Sequence, residues 1–176
     1  MSAPPQSPNS VGNLDPESAV ASPDRYARQE LLAQIGSAGQ RRLAEAKVLV
    51  VGAGGLGSPA LLYLAAAGVG TLGVVDDDIV DLTNLHRQVL HGEDSIGHPK
   101  TASAQLSIAR LNSQVRVVRH DTRITRASAP GIVAGYDLVV DGSDNFDTRY
   151  AVGRACAQAR RALATTTAVE PDQLAA

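Results

Sequence analysis

Short apolar runs alternate with longer segments of helical composition along the central part of this chain. The runs contain mostly valine and leucine, and continuous apolar runs of about four to eight residues are typical of strands buried on both faces of a sheet. We predict strands at residues 47–51, 71–75, 115–118 and 136–140. We predict helices at residues 25–43, with a break near Gly36 and Gly39, and at residues 58–67, 99–111 and 145–162.

This alternation of strands and helices indicates a fold class. Helices of this length between strands form βαβ units, and such units build a parallel sheet. We therefore expect an α/β fold, with a Rossmann-like, open, mainly parallel sheet and helices on both of its faces. Residues 162–168 are able to add a fifth strand.

The first residues differ in composition from the rest of the chain. Residues 1–23 hold five of the nine prolines and few large apolar residues, which predicts a disordered leader. We expect residues 24–176 to form one Rossmann-like domain. The apolar content of 44% is sufficient for a packed core.

Charge and cysteine content exclude several classes of protein. With 16 basic and 18 acidic residues, the formal net charge is −2, so nucleic acid is not an expected partner. The one cysteine, Cys156, allows no internal disulfide and no cysteine-built zinc site in this chain. The N-terminus lacks a secretory signal, and the longest apolar run, residues 60–69, is too short to cross a membrane. We therefore expect a cytoplasmic protein without membrane contact.

A glycine-rich turn follows the first predicted strand. Gly52, Gly54 and Gly57 stand in G-x-G-x-x-G spacing between that strand and a helix. Such glycines allow a tight turn and a close approach of the backbone to phosphate. Asp76 ends the next predicted strand, where an acidic residue accepts hydrogen bonds from ribose. The context favours nucleotide binding; the alternative is a turn required only for packing.

Charged residues beyond the glycine turn are candidates for phosphate or metal contacts. Lys100 lies in the first turn of a predicted helix, where a cation is unfavourable unless a bound phosphate offsets it. The alternative is an exposed lysine that costs roughly a few tenths of a kcal/mol. Asp141 and Asp144 follow the fourth predicted strand, and either is able to hold Mg²⁺. The alternative is that Ser143 or Asp144 caps the following helix.

The remaining polar residues give weaker signals. Residues 81–88 are dense in hydrogen-bonding groups, which suits a functional loop and a solvated connection equally well. Cys156 lies in the middle of a predicted helix among alanines, and we expect a packed thiol there. The four histidines show no spacing typical of metal ligands.

Five motifs together resemble one family of enzymes. They are RYARQ (25–29), VGAGGLGSP (51–59), GVVDDDIVDLTNLHRQ (73–88), GHPK (97–100) and DGSDN (141–145). In order and spacing they resemble the ThiF/MoeB/HesA family, the bacterial ubiquitin-activating-type adenylyltransferases, over residues 24–160. The combination of N-L-x-R-Q with G-x-P-K is more specific than the glycine motif alone.

The resemblance implies an activity and its partners. Members of this family bind ATP and Mg²⁺ on a Rossmann-like domain. They adenylate the C-terminal glycine carboxylate of a ubiquitin-like sulfur-carrier protein that ends in Gly-Gly, in molybdopterin, thiamin or related sulfur transfer. The carboxylate is already a nucleophile at neutral pH, so catalysis requires positioning and charge neutralisation rather than a general base.

The resemblance also implies roles for individual residues. The nucleotide loop is expected to comprise Gly52, Gly54, Gly55 and Gly57. The ribose is expected at Asp76, and the phosphates at Asn84, Arg87, Gln88 and Lys100. The magnesium ion is expected at Asp144. Arg28 matches a family arginine that reaches into the neighbouring subunit's site, which implies a homodimer. The catalytic residues that the resemblance implies are Arg28, Arg87, Lys100 and Asp144.

The chain departs from the family pattern towards its C-terminus. Residues 160–176 (RRALATTTAVEPDQLAA) lack the family's PLVSGA-like segment, its carrier-clamping loop and its paired C-x-x-C zinc motifs. We therefore expect a C-terminally truncated chain whose sheet is incomplete relative to the family and whose carrier-docking region is missing. Three alternatives stay open: an NAD(P)-dependent oxidoreductase that uses only the glycine motif and Asp76, a nucleotide-binding member without catalysis, and activation of a carboxylate on modified tRNA.

Overall fold

The computed structural model describes residues 25–166, so the leader predicted at residues 1–23 lies outside the described residues. The strands are β1 (Lys47–Val51), β2 (Thr71–Val75), β3 (Arg116–His120), β4 (Leu138–Asp141) and β5 (Ala162–Thr165). The helices are α1 (Ala27–Glu30), α2 (Gly36–Glu45), α3 (Gly57–Ala67), α4 (Lys100–Leu111), α5 (Ala129–Val133) and α6 (Phe146–Ala159). Two short 3₁₀ helices, at Leu82–Asn84 and Glu93–Ser95, lie between β2 and α4.

The five strands form one sheet in the order β3-β2-β1-β4-β5, and every neighbouring pair is parallel. The predicted parallel sheet is therefore confirmed, and Ala162–Thr165 supplies its fifth strand. The chain proceeds from β1 outwards to β3 and then returns to the other side of β1. In open parallel sheets, ligands bind at such a reversal of strand order, beyond the carboxyl ends of the strands.

Alternate residues of β1 face opposite sides of the sheet and belong to two apolar cores. Val48 and Val50 pack in a core with residues of α3 and α4. Leu49 and Val51 pack in a second core with residues of α5 and α6. The predicted helices on both faces are confirmed, and burial on both sides explains why β1 is continuously apolar.

Several elements end at positions other than those predicted. The predicted segment 25–43 is broken between Glu30, where α1 ends, and Gly36, where α2 begins with a φ of +56°. The break predicted near Gly39 is absent, because Gly39 lies inside α2, which continues to Glu45. α6 ends at Ala159, earlier than predicted, because Arg160 adopts a left-handed φ of 52° and closes the helix. The sequence pattern does not predict α5, since a segment as short as Ala-Pro-Gly-Ile-Val shows no helical periodicity.

The helix α3 carries the longest apolar run of the chain and packs on the sheet through Leu61 and Ala65. Gly68 ends it with a φ of +86°. The N–H groups of Gly68 and Val69 donate to the carbonyls of Ala65 and Leu64, so the last turn is capped. No helix within residues 25–166 combines the length and the apolarity that spanning a lipid bilayer requires.

Candidate functional site

A cavity of about 650 Å³ opens at the carboxyl ends of β1, β2 and β4. Its walls come from the turn after β1, the segment after β2, the start of α4 and the segment between β4 and α6. Residues 122–124, which follow β3, close one side. The cavity therefore lies at the reversal of strand order, where open parallel sheets bind their ligands.

The cavity brings together nine of the residues predicted for the site. They are Gly52, Gly54, Gly55, Asp76, Asn84, Arg87, Gln88, Lys100 and Asp144. Two predicted residues lie elsewhere: Gly57 is buried beneath the turn, and Arg28 is exposed on α1 outside the cavity lining. The lining also includes Thr122 and Arg123, a hydroxyl and a further cation that no sequence motif indicated.

Two glycines of the turn are required by close backbone approaches. Gly52 has a φ of +88°, and a Cβ there would lie 3.2 Å from the carbonyl oxygen of Gly142. A Cβ at Gly57 would overlap the carbonyl oxygen of Gly52 and lie 2.8 Å from its carbonyl carbon. Gly57 therefore allows α3 to begin directly against the turn, which explains why it lies behind the cavity and not in its wall.

The carboxylate of Asp76 joins the end of β2 to the glycine turn. Its Oδ2 accepts a hydrogen bond from the Ala53 N–H at 2.8 Å, and its Oδ1 accepts from the Asp78 N–H at 2.8 Å. A carboxylate oxygen has more than one acceptor position, so both oxygens keep capacity for a ligand hydroxyl. Asp76 thus has an anchoring role in the protein beside the ribose contact that the sequence predicts.

A buried histidine holds the same turn from the opposite side. His91 is 7% exposed, its Nε2 lies 2.9 Å from the carbonyl oxygen of Ala53, and its Nδ1 lies 2.9 Å from the Ser103 hydroxyl. The Ser58 hydroxyl donates to the same carbonyl at 3.2 Å. The role of His91 could not be predicted from motif spacing, because its contact with the Ala53 carbonyl joins residues 38 positions apart.

We expect the free energy of unfolding to fall as the pH drops below neutrality. Burial lowers the pKa of His91 and of His120 below the ordinary value of 6.5. Between 6.5 and each depressed pKa the unfolded chain binds more protons than the folded chain. This contribution to stability is therefore complete above the unfolded pKa and is lost as the pH falls towards the folded pKa.

Urea unfolding at about pH 7.5 and about pH 5.5 measures this effect. The matched control carries His91→Gln and His120→Gln, and it should lose less stability between the two pH values than the wild-type chain. An equal loss in both proteins would contradict the assignment to these histidines.

Lys100 is buried in the cavity wall, and this position excludes the alternative of an exposed lysine. Its side chain is 5% exposed, and its Nζ lies 2.8 Å from Oδ2 of Asp78, whose side chain is 68% exposed. A buried cation is costly unless it is paired, and here its partner is a solvated carboxylate at the surface. The ammonium group is therefore held at the start of α4, beside the cavity.

The segment before α4 supplies a second cation and an enclosed amide. Arg87 is exposed, and its Nη2 donates to Oδ1 of Asn84 at 2.8 Å, which orients the guanidinium. Gln88 is 4% exposed, and its Oε1 has no hydrogen-bond partner in the described part of the chain. A buried polar atom without a partner is uncommon in a native fold, so this amide at the cavity points to a ligand or an ordered water.

The two acidic residues at the end of β4 and after it differ in role. The carboxylate of Asp141 holds the local backbone, and that of Asp144 is open to the cavity. Asp141 is buried, and its Oδ1 accepts from the N–H and the hydroxyl of Ser143 at 3.0 and 2.7 Å. Asn145 caps α6 by accepting from the Thr148 N–H at 3.2 Å, so the alternative of a cap at Ser143 or Asp144 is wrong. Asp144 is exposed, lines the cavity and has no hydrogen-bond or ion-pair partner within residues 25–166.

The carboxylates around the cavity differ in how open they are to a divalent cation. Oxygens of Asp76, Asp77 and Asp78 lie within 4.8 Å of one another, but Asp76 already anchors the turn and Asp78 already pairs with Lys100. The open carboxylate of Asp144 fits the preference of Mg²⁺ for one or two carboxylates completed by phosphate oxygens. The cavity is lined by backbone N–H groups and by three cations, Arg87, Lys100 and Arg123. Such a lining suits a polyphosphate that carries a divalent metal.

Comparison with known proteins identifies the family of this chain. Residues 26–172 match the ThiF family. The chain is 49% identical over 144 residues to a probable adenylyltransferase/sulfurtransferase MoeZ of Mycobacterium tuberculosis, covering 81% of this chain and 37% of the relative. It is 50% identical over 161 residues to the adenylyltransferase and sulfurtransferase MOCS3 of Sus scrofa, covering 90% and 35%. The chain thus spans about a third of the length of these relatives.

Solved structures with a similar fold were also found. The tRNA N6-threonylcarbamoyladenosine dehydratase TcdA of E. coli, in complex with ATP, superposes with a TM-score of 0.77 at 29% identity, over 85% of this chain and 63% of that one. E. coli MccB superposes with a TM-score of 0.74 at 30% identity, over 82% and 44%. The match over residues 26–172 covers most of the sequence, and the chain belongs to the ThiF family.

Proposed function

We propose that this chain binds ATP with Mg²⁺ and transfers the adenylyl group to the C-terminal glycine carboxylate of a ubiquitin-like sulfur-carrier protein. The observation that carries the proposal is the gathering of Arg87, Lys100 and Asp144 around the glycine turn in one cavity. The names of related chains support it, since a 54% identical relative from Thermus thermophilus is a sulfur carrier protein adenylyltransferase. The TcdA structure with ATP supports the choice of nucleotide.

The proposed reaction forms one bond and breaks one at the α-phosphorus of ATP. A carboxylate oxygen of the carrier's terminal glycine attacks, and pyrophosphate leaves with the electron pair of the broken P–O bond. The products are an acyl-adenylate and pyrophosphate. No proton has to be removed from the nucleophile, so the site must supply orientation and positive charge.

The cavity residues divide these tasks. The N–H groups of Gly54 and Gly55 have no acceptor among the described residues and line the cavity with the cations Arg87 and Lys100. These four groups bind the phosphates and stabilise the charge that develops on pyrophosphate. Asp76 accepts from the ribose hydroxyls, while Asn84 and Gln88 contribute their amides to the phosphate site. Asp144 would hold Mg²⁺, which supplies further positive charge at the phosphate oxygens when it is bound.

A homodimer is part of the same proposal. Arg28 is exposed on α1 and lies outside the cavity of its own chain. We propose that it completes the site of a neighbouring copy, as the family resemblance implies. A chain that is monomeric by light scattering while it turns over ATP would contradict this part.

We expect Arg87→Ala to reduce carrier-dependent exchange of labelled pyrophosphate into ATP by about 100-fold. The guanidinium is expected to stabilise the leaving pyrophosphate, and alanine removes that charge without disturbing a buried group. The matched control is Arg110→Ala on α4, because Arg110 is exposed, lies outside the cavity lining and pairs at 3.5 Å with an exposed Asp94.

The exchange assay and a binding titration together separate the alternatives. Exchange that needs the carrier and falls in Arg87→Ala supports the proposal, whereas exchange unaffected by Arg87→Ala contradicts the assigned site. Tight NAD(H) binding without a response to ATP and Mg²⁺ would indicate an oxidoreductase. ATP binding without any release of pyrophosphate would indicate a nucleotide-binding protein without catalysis. Exchange stimulated by modified tRNA would indicate that the tRNA, and not a carrier protein, is the substrate.

A further inference from the structure

The peptide group between Ala53 and Gly54 is held by buried donors at its carbonyl end. His91 Nε2 lies 2.9 Å from the Ala53 oxygen, and the Ser58 hydroxyl lies 3.2 Å from it. His91 and Ser58 are 7% and 0% exposed. On the other side of the same residue, Asp76 accepts from the Ala53 N–H at 2.8 Å. Both peptide groups that flank the Ala53 Cα are therefore anchored.

The hydrogen bonds of His91 define which ring nitrogen carries the proton. A carbonyl oxygen only accepts, so Nε2 must be the N–H group that faces Ala53, and Nδ1 accepts from the Ser103 hydroxyl. Burial, helped by the charge of Lys100, lowers the pKa of His91 and outweighs the opposing effects of its hydrogen bond to Ala53 and of the Asp76 charge. The ring is therefore neutral at neutral pH and has a single N–H to offer.

The orientation of this peptide decides where the Gly54 N–H points. The C=O and N–H bonds of a trans peptide lie in one plane and point in opposite directions. Because the Ala53 carbonyl faces the buried His91, the Gly54 N–H faces away from it, towards the cavity that Gly54 lines. This N–H has no acceptor within residues 25–166. Glycine tolerates a wide range of φ, so the peptide is able to rotate when its carbonyl is not held.

We infer that His91 is a positioning residue that aims the Gly54 N–H at a phosphate of the bound nucleotide by holding the Ala53 carbonyl. The inference rests on the proposed binding of ATP. His91 does not line the cavity, so it acts only through the glycine turn. It adds to the site a residue that no motif of the sequence indicates.

Three substitutions of His91 separate positioning from simple packing. Glutamine places an amide N–H near the position of Nε2 and keeps the donor to Ala53. Asparagine places its amide near Nδ1, keeps the Ser103 partner and cannot reach the Ala53 carbonyl. Leucine keeps neither hydrogen bond. Calorimetric titration with ATP and with adenosine then measures the two dissociation constants for each variant.

We expect the Kd for ATP to rise about tenfold in His91→Asn and His91→Leu, and to stay within about threefold of wild type in His91→Gln. The Kd for adenosine should change little in all three, because the Gly54 N–H is aimed at phosphate. An unchanged Kd for ATP in His91→Leu would overturn the inference. A parallel loss of ATP and adenosine affinity, tracking the unfolding midpoints of the variants, would also overturn it, since a structural role alone predicts that result.

The ¹⁵N shifts of the His91 ring in the nucleotide-free chain test the geometry independently of ATP. We expect the proton on Nε2. A proton on Nδ1 would overturn the inference even where ATP binds normally. A chain with the proton on Nε2 that binds no ATP would instead overturn the proposed function, and the inference with it.

Discussion

Replacement of Lys100 with methionine is expected to slow carrier-dependent pyrophosphate exchange by about 100- to 1,000-fold. Methionine is close to lysine in length and shape, so the change removes the charge and keeps the packing. The Lys100 side chain is 5% exposed beside the cavity, where a charge acts through little intervening water. A cation in this position is expected to stabilise the α-phosphate and the leaving pyrophosphate more than any exposed residue of the site.

The same substitution should leave the fold intact. The partner of Lys100 is Asp78, whose side chain is 68% exposed and stays solvated when the ammonium is removed. Removing a buried cation also removes its desolvation cost, so we expect the free energy of unfolding to stay equal or to increase. The control is Arg110→Met on the same helix, which removes an exposed cation outside the cavity lining and should leave exchange unchanged. Exchange at the wild-type rate in Lys100→Met would contradict the proposed site.

Replacement of Gly57 with alanine is expected to destabilise the chain by about 3 kcal/mol or more. The added Cβ would overlap the carbonyl oxygen of Gly52 and lie 2.8 Å from its carbonyl carbon. Both are backbone atoms between β1 and α3, so no side-chain rotation relieves the clash. Either the helix moves off the turn or the turn changes shape, and ATP binding should then be lost as well.

A second glycine in a helix provides the matched control for Gly57→Ala. Gly131 lies in α5, and a Cβ there meets nothing within 4 Å. Alanine at this position should leave stability unchanged or increase it by up to about 1 kcal/mol, because alanine has the higher helix propensity. Urea unfolding of both variants measures the difference. A Gly57→Ala protein as stable as Gly131→Ala would show that the close approach at Gly57 does not constrain the fold.

Much of the fold follows from patterns that are local in the chain. Lys47–Val51 and Thr71–Val75 have the predicted bounds, because a strand covered on both faces requires an unbroken apolar run. β3 is harder to place. Within residues 25–166 it pairs with β2 alone, and its residues Arg116, Arg119 and His120 interrupt the apolar run. The strand accordingly begins one residue later and ends two residues later than predicted, at Arg116–His120.

The membership of the site was also predictable in large part. Residues that follow the carboxyl ends of parallel strands meet at one edge of the sheet, so motifs far apart in the chain converge once the fold class is known. Nine of the predicted residues do line one cavity. Arg123 was not predicted, because the segment after β3 carries no motif and joins the cavity only through the position of β3 next to β2.

The fold class, the glycine turn and most of the residues at the site can be read from the amino-acid sequence, because these depend on apolar periodicity and on motifs that each occupy a few adjacent positions. The way in which those residues are held depends on the packing of the folded chain. Packing buries Lys100 against Asp78, places Gly57 behind the turn and brings His91 to the Ala53 carbonyl. Each of these contacts joins parts of the chain that meet only after the sheet and its helices have packed, and no local pattern records such a meeting.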